Sequence, residues 1–170
     1  MTADGLSAAD LVLRDWLIAQ SDQRGAALVE IAPDTDGAPY AFSVGTWRRF
    51  GAPEAVTIGL PEGVDKMLID TYVRRCADGE RFPPGQVYDD LLDGVLVTVE
   101  KVHKGHYFEF FGSAFLVYPD GDFDAIQLIT ATPDDCWPWE ADAPSGFDLW
   151  QPILTESGAP ESWTPGVDGP

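Results

Sequence analysis

A chain of 170 residues with 45% hydrophobic and 12% aromatic content has the composition of one globular domain, which at this size buries roughly 70% of its unfolded surface. Ten basic against twenty-nine acidic residues give a formal charge of −19, which repels phosphate backbones and anionic lipid and argues against nucleic acid or a membrane as partner. No apolar run approaches the roughly 20 residues that span a bilayer. Met1-Thr2-Ala3-Asp4-Gly5 carries no basic leader segment, and the two cysteines, Cys76 and Cys136, are expected to be free thiols in the cytoplasm.

Ser7 and Asp10 form a capping-box pattern, with Leu6 and Leu11 placed as a hydrophobic staple. A helix therefore starts there, carries Leu13, Trp16 and Leu17 on an apolar face, and ends at Gly25. Residues 26–31 and 40–44 read as strands separated by the turn-forming Pro33-Asp34-Thr35-Asp36-Gly37. Val56, Ile58 and Leu60 alternate as a third strand running into Pro61. From Pro61 to about Ala77, Val64, Leu68, Tyr72 and Cys76 make a helical stripe that Gly79 ends. Residues 81–93, with Pro83-Pro84-Gly85, are expected to be a loop. Val95, Val97 and Val99 alternate as a fourth strand, and 110–117 with 125–130 are expected to form a hairpin around Pro119-Asp120-Gly121-Asp122.

From Pro133 onward, seven of the fourteen prolines fall in a stretch without Lys or Arg, so regular structure is not expected there. Trp137, Trp139 and Trp150 in that stretch are expected to pack on the domain, because exposed aromatic clusters are costly. The predicted fold class is α+β: a largely antiparallel curled sheet or partial barrel of about six strands, two helices and an irregular aromatic, Pro-rich C-terminal segment. One domain is expected over 1–160, with its helix in 1–25, an irregular packed segment over 133–160 and a loose end over 161–170.

The stretch from Pro39 to Trp47, with Phe50-Gly51-Ala52-Pro53-Glu54 and Gly59-Leu60-Pro61, resembles the opening signature of the bacterial domain of unknown function 4262. Further pieces follow in matching order. They are Gly79 to Phe82 with Gly85, Asp89-Asp90-Leu91-Leu92 with Gly94, Phe111-Gly112-Ser113-Ala114, Gln127-Leu128, Trp137-Pro138-Trp139-Glu140 and Gln151-Pro152-Ile153-Leu154. The resemblance implies a fold and a bacterial origin, and no reaction. The chain departs from the family where Ala52 stands in place of a frequent histidine, and where Thr130-Ala131-Thr132 stands in place of a Trp-Pro-Asp segment.

His103, His106 and Glu109 are the candidate catalytic residues, and they share a face only if their segment is helical. A strand end and turn is the plainer reading there, so no metal and no cofactor is expected. Trp47, Arg48 and Arg49, at the end of a predicted strand, are the candidate ligand-binding group, against the plainer role of charge balance. Asp120, Asp122 and Asp124 begin like a calcium loop, but Ala125 and Ala131 stand where its glycine and glutamate belong. All ten Lys and Arg lie at or before Lys104, while twelve acidic residues follow it. Asp134, Asp135, Glu140 and Asp142 are therefore the candidate partner-binding residues, facing a basic protein. The leading expectation is a non-enzymatic interaction module, and the alternative is a ligand-binding protein or small enzyme with a pocket at the mouth of the sheet.

Overall fold

The computed structural model describes residues 5–170, so the expectation made for Met1-Thr2-Ala3-Asp4 falls outside the described residues. Helix α1, Ala8–Arg24, begins with the expected reciprocal cap, in which Ser7 accepts from the Asp10 amide and Asp10 accepts from the Ser7 amide. It stops at Gly25, whose φ of 91° favours glycine. Its apolar face is only partly used: Leu17 is buried, but Leu13 and Trp16 remain 39% and 45% exposed.

Among the described residues, six strands form one open, mixed sheet: β1 Ala27–Ile31, β2 Tyr40–Val44, β3 Glu54–Ile58, β4 Val87–Leu92, β5 Val95–Lys101 and β6 Ala125–Thr130. Their spatial order is β1-β2-β3-β6-β5-β4. Each pairing is antiparallel except β3 with β6, which run parallel because the long excursion between them returns the chain in the same direction. The α+β class and largely antiparallel sheet thus hold, with one parallel pair at its centre.

Strand alternation sends residues to two layers. On one face Ala41, Ala55, Val99 and Leu128 meet Leu68, Ile69 and Tyr72 of α3, Val64–Ala77. On the other, Phe42, Val44, Val56 and Ile58 meet Leu17 of α1 together with Tyr107, Phe111 and Phe123.

Three local expectations need correction. Residues 110–117 are not a strand: after a short 3-10 turn at 104–106, helix α4, Tyr107–Phe110, leads into a second 3-10 turn at 112–116. Tyr107, Phe111 and Ala114 recur at three and four residues and bury one helical face, which outweighs the aromatic β-propensity of the run. Residues 81–93 are not all loop, because Val87–Leu92 forms β4 at the sheet edge. Trp47, Arg48 and Arg49 lie not on a strand but in helix α2, Thr46–Phe50.

The C-terminal segment lacks long elements and carries the short helix α5, Phe147–Trp150, yet buried amides and a carboxylate hold it. Gln151 accepts from the Thr130 amide at 2.9 Å and donates to the Thr130 carbonyl at 2.8 Å. The paired part of β3 reaches only Gln127, so the Gln151 side chain stands in for a neighbouring strand. Gln127 donates to the Pro152 carbonyl and accepts from the Leu154 amide. Opposite Gln127 in the register, buried Glu100 accepts from the amides of Glu161 and Ser162 at 2.8 and 3.0 Å and from the Ser162 hydroxyl.

The expected loose end over 161–170 is therefore a further correction. Trp163 is buried, and its indole N–H and that of Trp139 both donate to the Pro170 oxygen at 3.1 Å. Trp150 keeps half its surface exposed, but its indole N–H donates to the Gly59 carbonyl at 2.9 Å. A Cβ on Gly59 would lie 2.8 Å from that ring, which explains glycine at this place.

Candidate functional site

A cleft of about 460 Å³ opens where β5 ends and β3 and β6 begin. Its apolar walls include Tyr72 of α3, Phe82 and Pro84 of the following loop, Val102 after β5, and Tyr107 of α4. Helix α3 is continuous to Ala77 and brings Tyr72 to the cleft floor, where its hydroxyl donates to the Pro53 carbonyl at 2.8 Å. Phe82 packs on Tyr72 with ring centroids 5.5 Å apart. Tyr107 closes the far side, its ring stacked on Phe123 at 4.7 Å and its hydroxyl donating to the Phe123 carbonyl at 3.0 Å.

Pro53 is fixed from behind by Glu54, a fully buried carboxylate at the start of β3. Glu54 accepts from the amides of Gly45, Thr46 and Trp47, from the hydroxyls of Ser43 and Thr46, and from Tyr118 at 2.6 Å. A buried carboxylate is tolerated only with such a set of donors, and here it ties the β2-α2 turn to β3. With its oxygens already engaged by the protein, Glu54 serves as a structural post for the cleft wall.

The charges around the cleft run against those of the whole protein. Arg81, Lys101 and Lys104 line it, with Asp124 as the single carboxylate among the described residues. Arg81 is anchored by the carbonyls of Phe50, Cys76 and Glu80, and Lys104 by the Gly121 carbonyl at 2.8 Å, with its ammonium 5.0 Å from the Tyr107 ring centre. Neutral oxygens hold these groups without cancelling their charge. Among the described residues, none of the three cations enters an ion pair.

The phenols are not bases. Burial, reinforced by Asp124, pushes the Tyr107 hydroxyl up to about 12, and burial raises that of Tyr72 further. The lining thus provides an apolar slot bordered by three cations. It can orient and hold a molecule with an apolar body and an anionic group.

The sequence-predicted residues lie elsewhere. His103 caps the 3-10 turn by accepting from the Gly105 amide, and its Nε2 lies 3.1 Å from the Glu156 carboxylate. His106 Nε2 meets the Thr155 carbonyl at 2.9 Å. The two rings are neighbours at 6.2 Å, but Glu109 follows in α4, and its backbone carbonyl accepts from Tyr40. The carboxylate beside His103 is therefore Glu156 rather than Glu109. Arg48 donates to Asp22 and Ser21, and Arg49 to the Ser21 carbonyl, so both are engaged at the last turn of α1. Trp47 is half-buried against the α1 side of the core. Asp134, Asp135, Glu140 and Asp142 are all exposed in the loop before α5.

The cleft residues were not singled out from sequence, since they come from several separated segments. A usable signal was present: Arg81, Lys101 and Lys104 are the last cations before the one-sign C-terminal third. Ala52 is fully buried next to cleft-lining Pro53. No curated protein and no solved structure matches the chain significantly. The model of one family, described as Domain of unknown function (DUF4262), matches residues 20–144, a span that contains every cleft-lining residue. The chain belongs to that family.

Proposed function

We propose that the protein binds a small amphipathic anion in this cleft, the apolar body lying between Tyr72, Phe82 and Tyr107 and the charged group meeting Lys101, Lys104 and Arg81. One observation carries the reading. In a chain of net charge −19 with ten cations, three of those cations line a single apolar cleft, and among the described residues none of the three forms an ion pair. The cleft volume lies within the roughly 300–1,000 Å³ range of small-molecule sites. The two unbridged cysteines support a reducing, cytoplasmic setting.

Titration calorimetry with 4-phenylbutyrate and its uncharged analogue 4-phenylbutanol tests this. The carboxylate is expected to bind at least about tenfold more tightly, the equivalent of about 1.4 kcal/mol. Equal affinity for the two compounds contradicts the reading.

A second reading, a module that captures a basic protein, rests on the exposed loop bearing Asp134, Asp135, Glu140 and Asp142. It would act chiefly on the association rate, since exposed charges steer encounters. Neutralising these four residues should slow capture of a basic partner more than it speeds release.

A further inference from the structure

We propose that the outer edge of β1, with the groove beside it, seats an extended, basic and apolar segment of a protein partner, which adds to the sheet as a further strand. The inference rests on the partner reading above and gives that partner a specific seat. The groove and the anion cleft share no lining residue.

Strand β1 ends the sheet and its register with β2 runs unbroken over all five residues; its first residue, Ala27, is buried beside α1, and exposure rises toward Glu30 and Ile31. The opposite edge is different: β4 carries a register shift between Tyr88 and Leu92 and presents Asp89 and Asp90, two features that discourage strand addition. Beside β1 lies a groove of about 590 Å³ whose apolar walls include Leu13, Trp16, Ile31, Tyr40 and Phe108. Ile31 is 38% and Phe108 78% exposed, in addition to the half-exposed Trp16 of α1. An edge strand supplies backbone affinity, and apolar recesses beside it select side chains.

Charge decides the occupant. Among the described residues, the charged residues lining the groove are Glu109 and Glu30, the latter with its side chain turned toward Asp65 of α3. Around them the field is acidic: burial first, then Asp65 and Glu62, raise the Glu30 carboxyl above its ordinary range, against a smaller opposite effect of Lys66. Burial and the carboxylates of Glu109 and Asp34 do the same to the Tyr40 hydroxyl. A second copy would bring these same carboxylates, and another −19, against themselves. A cationic segment with alternate apolar residues satisfies both the groove and its charge.

The test uses the full chain labelled with ¹⁵N and an acetylated, amidated hexapeptide of alternating lysine and valine, with the glutamate-valine peptide as control. The lysine peptide should shift amides of Ala27–Ile31 and of the 108–113 segment. Its affinity should fall about tenfold between low and high salt, and about threefold on the double substitution Glu30→Gln and Glu109→Gln. The glutamate peptide should shift none of these amides. Shifts centred on the 134–142 loop would overturn the β1 seat while leaving the partner reading standing. The absence of shifts, or shifts that ignore salt, would overturn it too. So would sedimentation showing that the chain alone dimerises through β1, which would assign the edge to a second copy.

Discussion

The hydroxyl of Tyr118 donates to the buried carboxylate of Glu54 at 2.6 Å and accepts the Arg48 amide at 3.0 Å, joining parts of the chain 64 residues apart. The link fastens the turn after the second 3-10 segment to the start of β3, behind the cleft wall. Burial, and then the Glu54 charge, hold the Tyr118 hydroxyl far above its ordinary range, so it stays a donor at any working pH.

Glu54→Gln places an amide N–H₂ among groups that already donate, and at least one backbone N–H loses its acceptor. Urea unfolding should show a loss of roughly 3 kcal/mol, in line with the cost of unmatched buried polar groups. Tyr118→Phe, which removes one donor and leaves the rest of the set intact, should cost roughly half of that. An unchanged midpoint for Glu54→Gln would mean that the carboxylate is not the post described.

Deleting residues 161–170 should be costly. The deletion removes buried Trp163 and strips buried Glu100 of three donors from Glu161 and Ser162. A loss of roughly 3 kcal/mol or more is expected from the lost apolar burial and the stranded carboxylate together. Thermal melting of the shortened chain checks it, and unchanged melting would return these residues to the status of a loose end.

Much of the fold was legible because its signals are local. The alternation of Tyr40, Phe42 and Val44, the stripe Leu68, Tyr72, Cys76 and the Ser7-Asp10 cap each fix an element from neighbouring residues alone. The failures share one cause. Phe110 to Val117 is apolar and aromatic enough for a strand, and only its packing on Phe42 and Phe123 selects the helical turns. Val87–Leu92 follows two prolines and contains two aspartates, so its strand identity depends on β5 alongside it. Trp163 reads as part of a tail until Glu100 and Trp139 are placed next to it. The cleft was hidden for the same reason, since Arg81, Lys101 and Lys104 acquire meaning only when the sheet ends bring them together.

The acidic loop should be visible in thiol chemistry. Partial desolvation first, and then the carboxylates of Glu140, Asp142 and Asp134, raise the Cys136 thiol above its ordinary range. Its reaction therefore needs a higher pH than that of an ordinary thiol, because the thiolate is the reactive form. With the doubly negative reagent 5,5′-dithiobis(2-nitrobenzoate), the rate at fixed pH should rise with salt as repulsion is screened. A trimethylammonium-bearing thiosulfonate should show the reverse. Cys76, buried between Tyr72 and the sheet and raised in the same direction by burial, should react only on unfolding.

The most direct measurement of the cleft is an NMR titration of the ¹⁵N-labelled chain with 4-phenylbutyrate, repeated on Lys101→Glu. Lys101 suits this purpose because it is exposed at the end of β5 and its ammonium has no partner among the described residues, so reversing its charge should leave the fold intact. Amide shifts are expected at Tyr72, Arg81, Phe82, Lys101 to Lys104 and Asp124 to Ile126, with affinity falling about tenfold or more in the variant. Shifts confined to other surfaces, or equal affinity in the wild type and Lys101→Glu, would contradict binding of an anion in the cleft.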